Sequence, residues 1–252
     1  MKIDLISRAR LSIINKNSLR YPLAEAEKDY FLAVVLKILY SSDLKDRLVF
    51  KGGTALNHLY LDQLRFSDDL DFGTLGEVTL EEIEVVFSNY DFLQIKKVSS
   101  SIHSLKIDRL KFSGPLGQPN SLKIDIDLTQ EILLPVRRMN YRNVFQLPVR
   151  VRGMDLVEIC AEKMRAVNER ARYRDFYDLA SVFKKKRVSP EKIISTLERK
   201  ELRRPLSPER ILENLNIAQE AKDRGLENLF YREEITGDEI EKALGRLLPL
   251  LD

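Results

Sequence analysis

Three aspartates, Asp68, Asp69 and Asp71, stand within four positions of one another in an otherwise apolar stretch, RFSDDLDF. Alternate side chains of a β-strand point to the same face, so Asp69 and Asp71 are predicted to share one face and Asp68 to point away from it as a solvated neighbour. Two adjacent carboxylates repel each other unless a positive charge lies between them. Mg²⁺ prefers oxygen ligands, so this pair predicts a magnesium site.

A second stretch, KIDIDL at positions 123–128, repeats the alternation of acidic and apolar residues. Any half-exposed strand shows this alternation, so the pattern by itself does not identify a site. Beside Asp69 and Asp71, however, it indicates a third carboxylate for the same metal centre. Two divalent ions in such a centre would hold both the attacking and the leaving oxygen of a phosphoryl displacement.

A glycine pair precedes the aspartates in FKGGT, at positions 50–54. Glycine lets the backbone turn sharply and approach a ligand closely, and the N–H groups at a helix N-terminus attract phosphate. Thr54 is expected to cap the following helix or to donate its hydroxyl to a phosphate. A glycine pair before a helix is common in proteins that bind no nucleotide, but the order strand, GGT, helix, strand, DxD is much rarer.

The hydrophobic periodicity predicts the elements that must position these residues. Helices are predicted at 25–41, 54–64 and 79–90, and strands at 48–50, 66–72, 92–98, 102–112, 121–128 and 147–152. The pattern is helical after Asp155, apart from loops near 188, 204–207 and 236–238. The predicted fold class is α+β, with a mixed β-sheet flanked by helices in residues 1–152 and a helical part in residues 153–252.

The composition is that of a globular protein, with 44% hydrophobic and 32% charged residues. No apolar run approaches the ~20 residues that span a bilayer, and no signal peptide is recognised, so no membrane association is expected. The single cysteine, Cys160, excludes an internal disulfide and fits a reducing cytoplasm. We expect Cys160 to be a core residue and His58 to be exposed, and the scarcity of both residue types excludes a structural zinc site.

Positive charge is concentrated in residues 136–187, which hold 14 Lys and Arg but only six Asp and Glu, whereas the whole chain is +3. Such a zone predicts a phosphate-bearing partner, although solvated helix faces give the same excess. On a continuous helix, Lys163, Arg170 and Arg174 would share a face that can grip a triphosphate. Surface ion pairs are the alternative, and Asp175 is expected to cap a new helix. Arg65 is expected to pair with Asp68 or to meet a phosphate.

Taken in order, these motifs resemble the nucleotidyltransferase fold, in which a GG or GS turn, a helix and a DxD strand precede a third carboxylate. More narrowly, FKGGTAL and RFSDDLDF resemble the AbiEii family of nucleotidyltransferase toxins, which includes the MenT proteins. EKDYFLAVVL (27–36) is similar to the N-terminal helix of that family, and EICAEKMRAVNERARYRDFYDL (158–179) to its downstream signature. The resemblance covers residues 20–180. The distance from Gly53 to Asp69 is longer than in minimal nucleotidyltransferases but suits this family.

The resemblance also implies roles for individual residues. It implies a phosphate loop formed by Gly52, Gly53 and Thr54, with Lys51 beside it. It implies that Asp69 and Asp71 are metal ligands, that Asp125 is the third carboxylate and that Asp127 need not be acidic. Downstream, it implies a catalytic lysine, Lys163, and an acid, Asp178 or alternatively Asp175. Arg170, from the helix face described above, is expected to bind the substrate with Asp178.

The implied activity is the Mg²⁺-dependent transfer of an NMP from an NTP to an acceptor hydroxyl, with Mn²⁺ able to replace Mg²⁺. The helical C-terminal part would complete the active site. Within the family the implied acceptor is RNA, with the tRNA 3′ end as one known class, and the implied partner is a separately encoded antitoxin. Two alternatives remain open: a nucleotide-binding module without chemistry, which has no physical need for three carboxylates, and transfer to a protein or a small molecule.

Overall fold

The computed structural model describes residues 2–200, 202, 204–226 and 230–251. These residues form the α+β fold that the sequence predicts, with a mixed seven-stranded sheet and nine α-helices. The chain divides into two compact units. Unit 1 comprises Met1–Asp62, Phe66–Ile132 and Val136–Met154, and unit 2 comprises Gln63–Arg65, Leu133–Pro135 and Asp155–Asp252.

Unit 1 contains every strand of the described sheet. The strands are β1 (Leu48–Lys51), β2 (Asp69–Thr74), β3 (Leu93–Ser100), β4 (Ser104–Ser113), β5 (Pro119–Asp127), β6 (Arg137–Asn140) and β7 (Arg150–Gly153). Their order across the sheet is β3-β4-β5-β2-β1-β7-β6. β2 runs parallel to β5 and β1 parallel to β7, and the other neighbours are antiparallel.

The helices of unit 1 are α1 (Arg8–Ile14), α2 (Leu23–Leu39), α3 (Gly52–Ala55) and α4 (Leu80–Ser88). α3 continues into a π-helical turn, Leu56–Tyr60. α2 is buried along most of its length, and its Phe31 ring stacks on Phe112 of β4 with centroids 3.9 Å apart. Because strand side chains alternate, the apolar residues of β2 and β5 face this core and their aspartates face the other way.

Unit 2 contains the helices α5 (Leu156–Glu169), α6 (Tyr173–Lys185), α7 (Pro190–Glu198), α8 (Pro208–Asp223) and α9 (Gly237–Leu244). Local sequence sets most of their N-termini. The side chain of Asp155 accepts from the Val157 amide, Ser189 and Ser207 cap helices that begin with proline, and Thr236 forms a capping box with Glu239. None of the helices in the described ranges is both long and apolar enough to cross a bilayer.

The structure departs from the predicted elements at three places. The predicted continuous helix through residue 174 is wrong, because α5 ends at Glu169 and Arg170 and Arg172 are extended. The strand β6 and the helix α1 were not predicted. β6 is an edge strand with the sequence RRMN, and its polar residues carry no alternating apolar signal.

Candidate active site

The polar face of the sheet gathers the aspartates that the sequence singles out. Asp71 is the register partner of Asp125 across the parallel β2–β5 pair and of Lys51 across the antiparallel β1–β2 pair. Asp69 lies two positions before Asp71 and therefore on the same face. Leu70, the residue between them, is buried on the core side. The sheet thus presents Asp69, Asp71 and Asp125 on one surface of unit 1.

The turn at the start of α3 lies directly against this surface. Gly52 has φ = +75°, a left-handed conformation that side chains disfavour. A Cβ atom built on Gly52 would also lie 2.8 Å from Cβ of Asp71 and would collide with its carboxylate. Only glycine at this position lets the turn and the Asp71 side chain lie so close together.

Thr54 fixes the turn to β2. Its side chain is buried, and its Oγ1 lies 2.6 Å from the carbonyl oxygen of Asp69 and 2.8 Å from Oγ of Ser67. The carbonyl oxygen can only accept, so the single hydroxyl proton of Thr54 is donated to Asp69. In this structure the hydroxyl therefore positions the start of β2, and neither caps the helix nor is available to a phosphate.

Two lysines neutralise the outer carboxylates of the same face. Lys106 Nζ lies 2.8 Å from Asp125 Oδ2, and Lys51 Nζ lies 3.3 Å from Asp127 Oδ2. Asp127 Oδ1 also accepts from the Thr129 and Gln130 amides. Although burial opposes its charged form, the Lys51 ammonium and these amides keep the pKa of Asp127 below its ordinary value. Asp127 therefore holds Lys51 beside the glycine turn.

The donor chemistry of this face suits a divalent cation, but the side chains are not gathered around one point. Within the described ranges, no three His, Cys, Asp or Glu side chains are close enough together to hold a metal ion. Asp69 and Asp71 share a face with carboxylate oxygens, the donors that Mg²⁺ prefers. Asp125 is in register with Asp71 but is turned towards Lys106. As a third ligand, it would have to exchange this ammonium for the metal.

A second charged cluster lies in unit 2 and is centred on Lys163. Lys163 Nζ lies 2.7 Å from Asp175 Oδ1 and 2.8 Å from Asp178 Oδ2. Arg170 Nε lies 3.0 Å from Asp175 Oδ2. Arg65 donates from Nε and Nη2 to the two oxygens of Asp178, each at 2.7 Å. The cluster therefore links three cations to two aspartates.

The break between α5 and α6 makes this cluster possible. Lys163 and Asp175 are 12 positions apart, which corresponds to about 18 Å along a continuous helix. The connection through the extended residues Arg170 and Arg172 changes the direction of the chain between α5 and α6. The side chains of Lys163 and Asp175 therefore come into contact. Arg174, which was expected to share a face with Lys163 and Arg170, lies beyond the break.

The aspartates of the cluster are buried and remain charged. Burial opposes ionisation of Asp175, but Lys163 and Arg170 hold its pKa below the ordinary value. Burial likewise opposes ionisation of Asp178, whose pKa is lowered by Arg65 and Lys163. The expectation that Asp175 caps a helix is wrong, because Arg172 occupies the cap position of α6 and Asp175 binds the two cations from the first turn.

Two further expectations are corrected by distant contacts. Arg65 pairs with Asp178 rather than Asp68, and Asp68 instead lies 3.3 Å from Lys28. His58 is buried rather than exposed: its ring stacks on Tyr141 with centroids 4.4 Å apart, and its Nδ1 lies 2.8 Å from the Arg142 carbonyl oxygen. Cys160 is buried as expected, and burial raises its pKa to about 12.

Ion pairs within each unit neutralise part of the basic segment, residues 136–187. Lys184 and Lys185 at the end of α6 both pair with Glu233, and Lys184 also pairs with Glu239. Arg138 and Arg152, which are opposite each other on β6 and β7, both contact Asp46. The exposed cations Arg150, Lys186 and Arg187 are in no ion pair within the described part of the chain.

The fold is shared with solved structures of low sequence identity. MenT4, a nucleotidyltransferase toxin from Mycobacterium tuberculosis H37Rv, matches with a TM-score of 0.63 at 18% identity, over 94% of this chain and 98% of that chain. JHP933 from Helicobacter pylori matches with a TM-score of 0.57 at 17% identity, over 92% of each chain. At these identities the likeness establishes the fold.

No curated protein matches the sequence. A family model does match it, the one described as nucleotidyl transferase AbiEii toxin of type IV toxin–antitoxin systems, and the match covers residues 35–244. These residues include the glycine turn, the aspartates of β2 and β5 and the Lys163 cluster, so the resemblance carried by the motifs is confirmed. The protein is therefore a nucleotidyltransferase that belongs to the AbiEii toxin family.

Proposed function

We propose that the protein binds an NTP at the Gly52-Gly53 turn and transfers its NMP group to an acceptor hydroxyl, with Mg²⁺ as the cofactor and Mn²⁺ able to replace it. The observation that carries this proposal is the contact between the turn and Asp71. A backbone loop suited to phosphate and a carboxylate suited to a metal lie against each other on the polar face of the sheet.

In this reaction the acceptor oxygen forms a bond to the α-phosphorus, and the bond from that phosphorus to the pyrophosphate oxygen breaks. Asp69 and Asp71 would hold the metal, which stabilises the charge that develops on the phosphate oxygens. The backbone amides of Gly52 and Gly53 would bind phosphate oxygens, with the Lys51 ammonium beside them. Asp125 would complete the ligand set and help to remove the proton from the acceptor hydroxyl.

We propose that the cluster in unit 2 also binds phosphate. Lys163 and Arg170 would bind the phosphates, and Asp178 and Asp175 would hold these cations in place. Arg170 is the most accessible of the four, with 46% of its side chain exposed.

We propose RNA as the acceptor, and specifically the 3′ end of a tRNA in the cytoplasm. The exposed cations Arg150, Lys186 and Arg187 support a phosphate-bearing partner. Membership in a family of type IV toxin–antitoxin systems supports a toxic activity that a separately encoded antitoxin controls.

The experiment that tests this function uses each of the four NTPs labelled on the α-phosphate. Each is incubated with the protein, Mg²⁺ or Mn²⁺, and either total tRNA, total protein or a pool of small metabolites. We expect label in the tRNA with wild type and with Asp68→Asn, and none with Asp71→Asn. Label in the protein or metabolite fraction would show that the acceptor is a protein or a small molecule and not RNA. NTP binding without any transfer would indicate a non-catalytic module.

A further inference from the structure

Among the described residues, the ion pairs around Lys163 join an unequal number of positive and negative groups. These pairs join Arg65, Lys163 and Arg170 to Asp175 and Asp178, which gives three positive and two negative charges. The side chains of both aspartates are 0% exposed and that of Arg65 is 1% exposed, whereas Lys163 is 10% and Arg170 46% exposed. A ligand can therefore reach only the cations Lys163 and Arg170.

The net positive charge of the cluster depends on Arg65. Lys163 contacts two carboxylates at 2.7 Å and 2.8 Å, so without other cations its ammonium would carry a surplus of negative charge around it. Arg170 neutralises Asp175, and Arg65 neutralises Asp178 through two parallel hydrogen bonds. If Arg65 is removed, the charges of the other four groups sum to zero, so the attraction for a phosphate should weaken.

We propose that Arg65 is a positioning residue that neutralises Asp178 and thereby leaves Lys163 able to attract a phosphate anion. This inference rests on the proposed function, in which Lys163 binds the phosphates of the NTP. Arg65 itself is too buried to touch the substrate, so it acts through Asp178. The low dielectric constant of this buried site makes each uncompensated charge count more than it would in water.

The competing explanation is a purely structural role, in which the Arg65 side chain only helps to hold its segment in place. Other contacts also fix this segment. The Leu64 carbonyl accepts from the Tyr177 hydroxyl at 3.2 Å and from the Arg232 amide at 2.8 Å, both within unit 2. Under that explanation the shape of the guanidinium matters, and the charge of the cluster does not.

The test compares four proteins in which the charge of the cluster changes in known steps. Wild type carries +1, Arg65→Met carries 0, Asp178→Asn carries +2, and the double variant Arg65→Met/Asp178→Asn returns to +1. Affinity for inorganic tripolyphosphate and for a non-hydrolysable NTP is measured by calorimetry at low salt. Circular dichroism establishes that each variant is folded at the temperature used.

We expect Arg65→Met to weaken tripolyphosphate binding at least tenfold and the double variant to recover to within about threefold of wild type. Asp178→Asn alone should bind tripolyphosphate at least as tightly as wild type. Arg65→Lys, which keeps the charge but not the paired hydrogen bonds, should stay within about threefold of wild type. If Arg65→Met does not fold, Asp178→Asn and Arg65→Lys still decide the question.

Two results would overturn the inference: a folded double variant, or an Arg65→Lys variant, that binds tripolyphosphate at least tenfold more weakly than wild type. Both are judged against a wild type that binds the NTP analogue. A wild type that does not bind the analogue would instead overturn the proposed function, so the two failures are distinguishable.

Discussion

The carboxylate of Asp71 occupies the space that a Cβ atom on Gly52 would need. This contact joins the turn that we propose to bind phosphate to the strand that we propose to bind the metal, without any intervening side chain. Because Gly52 also has φ = +75°, a substitution there meets two separate penalties, one in the backbone and one against Asp71. The two penalties can be measured separately.

Gly52→Ala should abolish NMP transfer and lower the free energy of unfolding by more than the backbone cost alone. The matched control is Gly117→Ala, since Gly117 has φ = +67° and a Cβ there would meet nothing within 4 Å. That control should lose only about 1–2 kcal/mol, the cost of a left-handed alanine, and keep full activity. Urea unfolding and the labelled-NTP assay measure both effects. Equal destabilisation in the two variants would show that the Asp71 contact adds no cost.

Asp69→Ala and Asp71→Ala should each reduce transfer by at least a hundredfold while leaving the fold intact, because both residues are proposed as ligands on a partly solvated face. Mg²⁺ with a non-hydrolysable NTP should raise the melting temperature of wild type, since a ligand that binds only the folded state stabilises it by mass action. The rise should be much smaller in Asp69→Ala. Asp68→Ala, which loses the contact with Lys28, serves as the control. Full activity of Asp71→Ala would refute the metal assignment.

The contribution of Asp175 to the stability of the protein should be full above about pH 4 and should decline progressively as the pH falls below that value. Its folded-state pKa lies below the unfolded value of about 3.9, despite burial, because Lys163 and Arg170 favour the carboxylate. The unfolded state therefore takes up a proton first as the pH falls, and the stabilisation present above about pH 4 is progressively lost. Urea unfolding between pH 3 and pH 7 should show Asp175→Asn less stable than wild type at pH 7. The difference in the free energy of unfolding between the two proteins should become smaller below pH 4. A difference that does not change with pH would contradict this linkage.

Binding of tRNA should depend on the exposed, unpaired cations more than on the paired ones. Each phosphate contact contributes about 0.7–0.9 to the slope of log K against log salt, so Arg150→Gln/Lys186→Gln/Arg187→Gln should flatten that slope by about 2. Lys184→Gln/Lys185→Gln should change it less, because Glu233 and Glu239 already neutralise these lysines. NTP affinity should be the same in all these proteins. An unchanged slope in the triple variant would be evidence against RNA as the acceptor.

The parts of the site that could be predicted from the sequence are those with local signals. The glycine turn, the alternation around Asp69 and Asp71, and the strand of Asp125 each lie in a short stretch with a recognisable period. Most strands of the sheet were predicted for the same reason. The polar edge strand β6 was not, because packing at the end of the sheet rather than its own residues selects that conformation.

The contacts that could not be predicted join residues far apart in the chain. Arg65 and Asp178 are separated by 113 positions, and nothing near either residue indicates the other. His58 is buried because its ring stacks on Tyr141 and its Nδ1 contacts the carbonyl oxygen of Arg142, which is 84 positions downstream. The end of α5 at Glu169 has no glycine or proline to mark it, so the periodicity continues through a break that tertiary contacts impose.

The extended connection between α5 and α6 has a consequence for how relatives of this protein can differ. One residue added to or removed from α6 before Asp175 would rotate that side chain by about 100° around the helix axis, away from Lys163. The connection is therefore constrained in length more strongly than in composition. Among relatives that keep the Lys163–Asp175 pair, insertions and deletions should fall outside residues 163–178, and the spacing between the two residues should stay at 12 even where the intervening side chains change.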